Sequence, residues 1–210
     1  MAEITAALVK QLRERTGAGM MECKSALVEA KGDLAEGEVV LRKRGIASAS
    51  KKSARTTKQG VIASYIHSGN QLGVLIEVNC ESDFVARTDD FQELVHDLAM
   101  QVAAADPRFV RREDVTEQDL ARERDIARER ARNEGKPEKI LDKIVEGRLA
   151  KFYEEVCLME QPFIKENTVT ISDLVKSKIA KLGENITVAR FVRFKVGDTG
   201  ASGSDAQAVE

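Results

Sequence analysis

His67 and His96 are the only histidines in the chain, and Cys23, Cys80 and Cys157 its only cysteines. Their spacing does little for metal or nucleophilic chemistry. They form no CxxC or Cys/His pair of the kind a zinc site draws on, and an odd count of thiols suits reduced, buried side chains. GxSxG and HExxH are both absent. Acidic pairs abound, but they fall on charged stretches such as residues 122–132, where a solvated helix face is the ordinary reading. Nothing selects one pair for acid–base work. No catalytic residue, metal site or cofactor is expected.

The glycines of TGAGMMECKS, residues 16–25, invite comparison with a phosphate-binding loop. That loop needs GxxxxGK[ST], with a glycine beside the lysine so that the backbone can wrap the phosphates. Here Lys24 follows Cys23, and the segment lies between two helical patterns rather than after a strand. A structural turn is the better reading, with Met20 and Met21 as a soft contact surface.

The segment with an odd physical profile is CESDFVAR, residues 80–87. A strand-like apolar alternation stops at Val78, and Ser82, Asp83, Phe84 and Val85 follow before the next long helix. Ser82 can cap a short turn, and Asp83 is favourable at its N-terminus. Phe84 and Val85 must point in different directions. Either Phe84 folds under the sheet, or it stands out as an apolar probe on a rigid strand-to-helix corner.

The elements around that corner are legible from periodicity. Residues 1–45 read as three short helices. Ile4, Leu8 and Leu12 share one face of the first, and Met20, Cys23 (or Lys24) and Leu27 form a stripe on the second. Asp33 is a plausible N-cap for the third, with Gly45 as its stop. Residues 46–59 have no apolar period and read as a basic linker, open to partial helicity. Residues 61–67 and 71–80 alternate as strands around a hairpin turn at 68–70. Phe91, Leu94, Val95, Leu98 and Val102 make a strong helical stripe opened by Thr88. A helical hairpin is expected over about 117–158, with Thr116 as a cap and Pro137 starting its second arm. A helix over 171–182 and an alternating strand over 185–196 follow, then a small polar tail, 197–210, expected to be disordered.

Strand, strand, helices, strand implies an α+β core over residues 60–196. Its last strand must return to the hairpin as the third of a small antiparallel sheet, because two strands alone are barely stable. Aromatics are 4% and Trp is absent, so Leu, Ile, Val and Ala must build the interior. The longest apolar runs, such as 72–76, fall far short of the roughly 20 residues that span a bilayer. With Glu3 where an export signal would want a basic region, the cytoplasm is the expected compartment. Seven basic residues and no acid lie between 42 and 58, but the chain as a whole carries a net −2 charge. That is a local basic segment, not the charge of a nucleic-acid-binding domain.

Several long segments resemble the elongation factor Ts family. They are AEITAALVKQLRERTGAGMMECKSAL (residues 2–27), EVNCESDFVAR (77–87), GKPEKILDKIVEGRLAKFYEEVCLMEQPFI (135–164) and FVRFKVG (191–197). The resemblance covers nearly the whole chain apart from the tail. It implies a non-enzymatic guanine-nucleotide exchange factor that binds GDP-bound elongation factor Tu, displaces Mg²⁺ and promotes GDP release so that GTP can rebind. It further implies that the first three helices form a ubiquitin-associated-like module docking on the partner's GTPase domain, with Leu12, Arg13, Met20 and Met21 as contact residues. The family's corner motif, usually written TDFV and associated with dislodging Mg²⁺, is SDFV here (residues 82–85); Ser for Thr keeps a hydroxyl cap.

The long family members carry a second copy of the sheet-containing core and an extra helical C-terminal module, which this chain is expected to lack. Short members of its kind resemble homodimers. Residues 185–196 contain no cysteine, so the disulfide seen in some short forms has no counterpart; the implied dimer is non-covalent, or the chain is monomeric until bound. No membrane and no direct nucleic-acid partner is implied. The competing reading is a ribosome- or RNA-associated module resting on residues 42–58, although no aromatics interleave those bases for stacking.

Overall fold

The computed structural model describes residues 4–198. Helices α1 (Ala6–Thr16), α2 (Met20–Glu29) and α3 (Leu34–Lys52) open the chain. Thr5 caps α1 by accepting from the Leu8 amide, and Gly17, at φ 68°, closes it in the left-handed region. Asp33 caps α3 through the Glu36 amide at 2.8 Å. Val9, Leu12, Cys23, Ala26, Leu27 and Val40 form a small apolar core among the three helices.

The third helix does not stop at Gly45. It runs on to Lys52, through the first half of the segment expected to be a linker. A glycine inside a helix costs only about 1 kcal/mol relative to alanine, and here the missing side chain lets α3 lie close against α8 (Ile171–Leu182). Ala49, one turn further on, is buried in the main core.

That core is built on a three-stranded antiparallel sheet of order β1 (Gln59–Ile66), β2 (Leu72–Cys80), β5 (Ile186–Lys195). The last strand returns to the hairpin, and β2 becomes the middle strand. Val74, Ile76, Val78 and Cys80 point inward, where Phe91, Leu94, Leu98 and Val102 of α5 (Asp89–Ala105) are fully buried against them. Between β2 and α5 stands a single helical turn, α4 (Asp83–Ala86).

Helices α6 (Glu117–Asn133) and α7 (Glu138–Val156) form the helical hairpin, with Ala127, Ala131, Leu141 and Val145 buried. Ion pairs Arg128–Asp142, Arg132–Glu138 and Arg148–Glu134 lace its exposed sides. A two-stranded ribbon of β3 (Pro162–Phe163) and β4 (Glu166–Thr170) was not foreshadowed by any alternation. A side chain from α5 holds it: Gln101, fully buried, donates to the Gln161 side chain and the Pro162 carbonyl at 3.1 Å and accepts from the Ile164 amide at 2.9 Å.

No helix among the described residues is long and apolar enough to cross a membrane. All three cysteines are free and buried, and burial pushes the Cys157 thiol up to about 11. The tail expected to be disordered lies outside the described residues from 199 onward.

Candidate partner-binding site

The chain leaves β2 at Cys80 and enters α4 at Asp83, so the corner is made by the two residues between them, Glu81 and Ser82. Ser82 is extended (φ −128°, ψ 156°), and its hydroxyl oxygen accepts from the Val85 amide at 3.4 Å, which caps α4. The same hydroxyl donates to Oε1 of Glu184 at 2.6 Å. The amides of Glu81 and Ser82 donate to the other oxygen, Oε2, at 3.1 and 3.0 Å. The neighbouring Asn185, almost fully buried, gives its amide to the Glu81 carboxylate at 2.6 Å. Its side-chain nitrogen reaches the carbonyls of Ser53 and Arg55, just past α3. One short connection between α8 and β5 thereby ties the corner to the end of α3.

Held this way, α4 sends its side chains in three directions. Ala86 is buried, Val85 packs against the core, and Phe84 is 79% exposed. Of the two orientations open to Phe84 in sequence, the outward one is found. The far end of the turn is fixed as well, by Thr88 Oγ1 donating to the Val85 carbonyl at 2.8 Å and Gln92 Nε2 to the Ala86 carbonyl at 2.6 Å. Asp83 accepts from Arg87 at 2.9 Å in an exposed pair one turn apart. Such a pair contributes about 0.5 kcal/mol or less, so its carboxylate can be exchanged into another contact at little cost.

In the three-helix bundle, Arg13, Met20 and Met21 lie on the surface, Met21 at 76% exposure. Leu12 does not. It is fully buried between α1, α2 and α3, where the stripe it shares with Leu8 had to face, so it shapes the bundle rather than offering a contact. The basic stretch is partly neutralised within the fold: Arg42 pairs with Asp173, Arg44 with Glu29 at 2.6 Å, and Arg55 with Glu81.

One further surface stands out that the sequence reading did not single out. The sheet face turned away from α5 exposes Ile62, Ile66, Leu75, Val192 and Phe194, around a shallow hollow over Gly73. The other end of this face is polar, with Glu77 bonded to Asn79 at 3.1 Å and to Arg190 at 2.8 Å. Those two hydrogen bonds hold the Glu77 carboxyl below its ordinary range. The available signal was the second apolar set in β1 and β5, which one buried face could not absorb. Among the described residues no group of three or more His, Cys, Asp or Glu is placed to hold a metal ion.

The sequence pattern of the family described as Elongation factor TS matches residues 20–198. The chain is 77% identical over 205 residues to Elongation factor Ts of Solibacter usitatus (strain Ellin6076), covering 98% of this chain and 96% of the relative. It is 61% identical over 197 residues to Elongation factor Ts of Koribacter versatilis (strain Ellin345), covering 94% and 90%. To Elongation factor Ts of Moorella thermoacetica (strain ATCC 39073 / JCM 9320) it is 60% identical over 195 residues, covering 93% and 96%. Corner, sheet and helical hairpin all fall within these alignments, and the chain belongs to the elongation factor Ts family.

Proposed function

We propose that this protein is a guanine-nucleotide exchange factor of translation elongation. It binds elongation factor Tu carrying GDP, dislodges the Mg²⁺ there and lets GDP leave so that GTP can bind. It performs no covalent chemistry and acts in the cytoplasm. The observation that carries this reading is Phe84: a large aromatic ring left in solvent at the tip of a corner whose backbone is fixed on both sides.

Exchange of this kind is a linkage. Whatever factor the protein takes from nucleotide affinity, the nucleotide takes from the protein's own. A ligand held at nanomolar strength represents about 12 kcal/mol, whereas burying one phenylalanine supplies only about 1.5–3 kcal/mol. The remainder must come from a broad contact, on the order of 1,600 Å², anchored by Arg13, Met20 and Met21. Phe84 is the wedge and Asp83 its polar companion, giving up Arg87 to compete for groups near the partner's metal. Loss of that cation removes the main charge neutralising the diphosphate.

The same reading pairs two copies of the chain, without a covalent link, through the outer sheet face. Contiguous apolar patches are uncommon on monomers, and a two-fold interface requires one surface to complement itself. A face that is apolar at one end, as this one is, suits that arrangement.

The test is release of fluorescent GDP from elongation factor Tu by the Phe84→Ala variant. Binding should survive in weakened form while release slows roughly ten-fold or more, the equivalent of losing one buried ring. Release at the unaltered rate would refute the wedge.

A further inference from the structure

We infer that Glu184 is a positioning residue for nucleotide release: its carboxylate fixes the corner that presents Phe84, without touching the partner itself. This rests on the wedge reading above and adds a residue to it. The sheet ladder ends where Cys80 pairs with Gln59 on one side and Ile186 on the other. Beyond that point the amides of Glu81 and Ser82 have no strand partner, and both converge on one oxygen of Glu184. The second oxygen accepts a hydrogen bond from the Ser82 hydroxyl.

That last bond does more than add a contact. A serine hydroxyl turns freely unless its hydrogen is claimed. With the hydroxyl hydrogen directed at Glu184, the lone pairs of the Ser82 oxygen are left facing the Val85 amide, which is the bond that starts α4. Glu184 therefore acts on Phe84 through Ser82 and the first turn of α4. A wedge presses only if it is rigid, because a ring that must be ordered as the nucleotide is displaced adds the cost of that ordering to the release step.

Glu184 is itself well placed to hold firm. It follows Gly183, whose positive φ of 80° ends α8, and precedes Asn185, which is bonded to Ser53, Arg55 and Glu81. The acid thus stands on a connection fixed at both ends.

The experiment compares Glu184→Ala and Glu184→Gln with the unaltered chain, measuring GDP release from elongation factor Tu across a concentration series and amide hydrogen exchange in the free protein. Glu184→Ala should lower the maximal release rate about ten-fold, as expected for losing charge-assisted hydrogen bonds that matter in the transition state. The half-saturating concentration should move by less than about two-fold, because the bundle that anchors binding is untouched. The Glu81 and Ser82 amides should lose protection while those of Val74, Ile76 and Val78 keep theirs. Glu184→Gln keeps one acceptor oxygen for the two amides but turns an NH2 donor toward the Ser82 hydroxyl, so it should recover the amide protection and only part of the rate. An unchanged maximal rate, or a change confined to half-saturation, overturns the inference. Should Glu184→Ala fail to fold, Ser82→Ala removes the bond to Glu184 together with the cap on Val85; full-speed release overturns the role, and slow release at unaltered half-saturation supports the Ser82 route through which Glu184 acts. Phe84→Ala run alongside separates the failures. If it is slow while Glu184→Ala is fast, only the positioning role falls; if Phe84→Ala is itself fast, the wedge falls and the positioning role with it.

Discussion

Gly45 of α3 and Ala180 of α8 pass so closely that a Cβ on the glycine would stand 3.1 Å from the alanine's. At this crossing one long helix joins the three-helix bundle to the sheet. Arg42 reaches Asp173 at 3.6 Å beside it, and Asn185 holds the carbonyls just past the helix end. The placement of the bundle relative to the corner rests on that junction.

A larger side chain at the crossing should therefore loosen the junction. Gly45→Val should cost about 1–3 kcal/mol, the usual penalty for overpacking, and calorimetry should show the Tm falling by about 2–4 °C per kcal/mol in a chain of this size. The smaller insertion Gly45→Ala raises helix propensity by about 1 kcal/mol yet crowds Ala180, so Ala180→Gly should be better tolerated in the Gly45→Ala variant than in the unaltered chain, a coupling that helix propensity does not produce.

Phe84→Ala should leave stability alone. An exposed side chain away from special backbone features changes the unfolding free energy by about 0.5 kcal/mol or less. Urea midpoints of the two proteins should coincide. A large shift would mean that the ring packs within its own fold.

Self-association should depend on the outer sheet face. Phe194→Glu places a charge in the middle of the apolar end, beside Ile66 and Leu75. Sedimentation at several concentrations should show dimerisation weakened by about ten-fold or more, since burying an unpaired carboxylate costs at least about 1.4 kcal/mol. Identical behaviour of the two proteins would argue against this face.

Acid should weaken the fold through the contact of α5 with α8. Lys181 and Lys178 donate to Asp90 at 2.7 and 3.1 Å, and Lys178 donates to Glu93 at 2.8 Å. The Lys181 hydrogen bond first, then that of Lys178, hold Asp90 below its ordinary range against the opposing effect of burial; Lys178 does the same for Glu93. Carboxylates depressed in the folded state stabilise it fully above their unfolded values, about 4, and lose that contribution as pH falls through the lower folded values. Burial lowers Lys178, but its bonds to Glu93 and Asp90 outweigh this and raise it. Its contribution is complete below about 10.4 and is lost as pH rises through the higher folded value. Urea unfolding from pH 3 to 7 should show an acid limb that Lys178→Met flattens.

Local rules carried much of this structure. Asp33, Ser82, Thr88 and Thr116 all cap the helices their sequence context assigned them, because a capping oxygen acts on amides only three residues away. The return of β5 followed from the instability of a lone hairpin. What the sequence hid were effects settled elsewhere in the chain. Gly45 looked like a stop until the helix it meets was known, and nothing near Gln101 announced the ribbon it holds. Glu184 bonds residues more than a hundred positions away, so no window around the corner could find it. Leu12 is a different case: its apolar spacing already placed it inside, and only family likeness had set it on the surface.

Because β2 lies between a strand made just before it and one made near the end of the described chain, a translating ribosome releases the hairpin long before β5. Until β5 emerges, one edge of β2 offers its backbone groups to any passing strand. The acid that braces the corner is not yet made either. On the proposed reading the nascent factor becomes competent only once β5 and the connection before it have emerged, and that open edge is where a chaperone would have reason to wait.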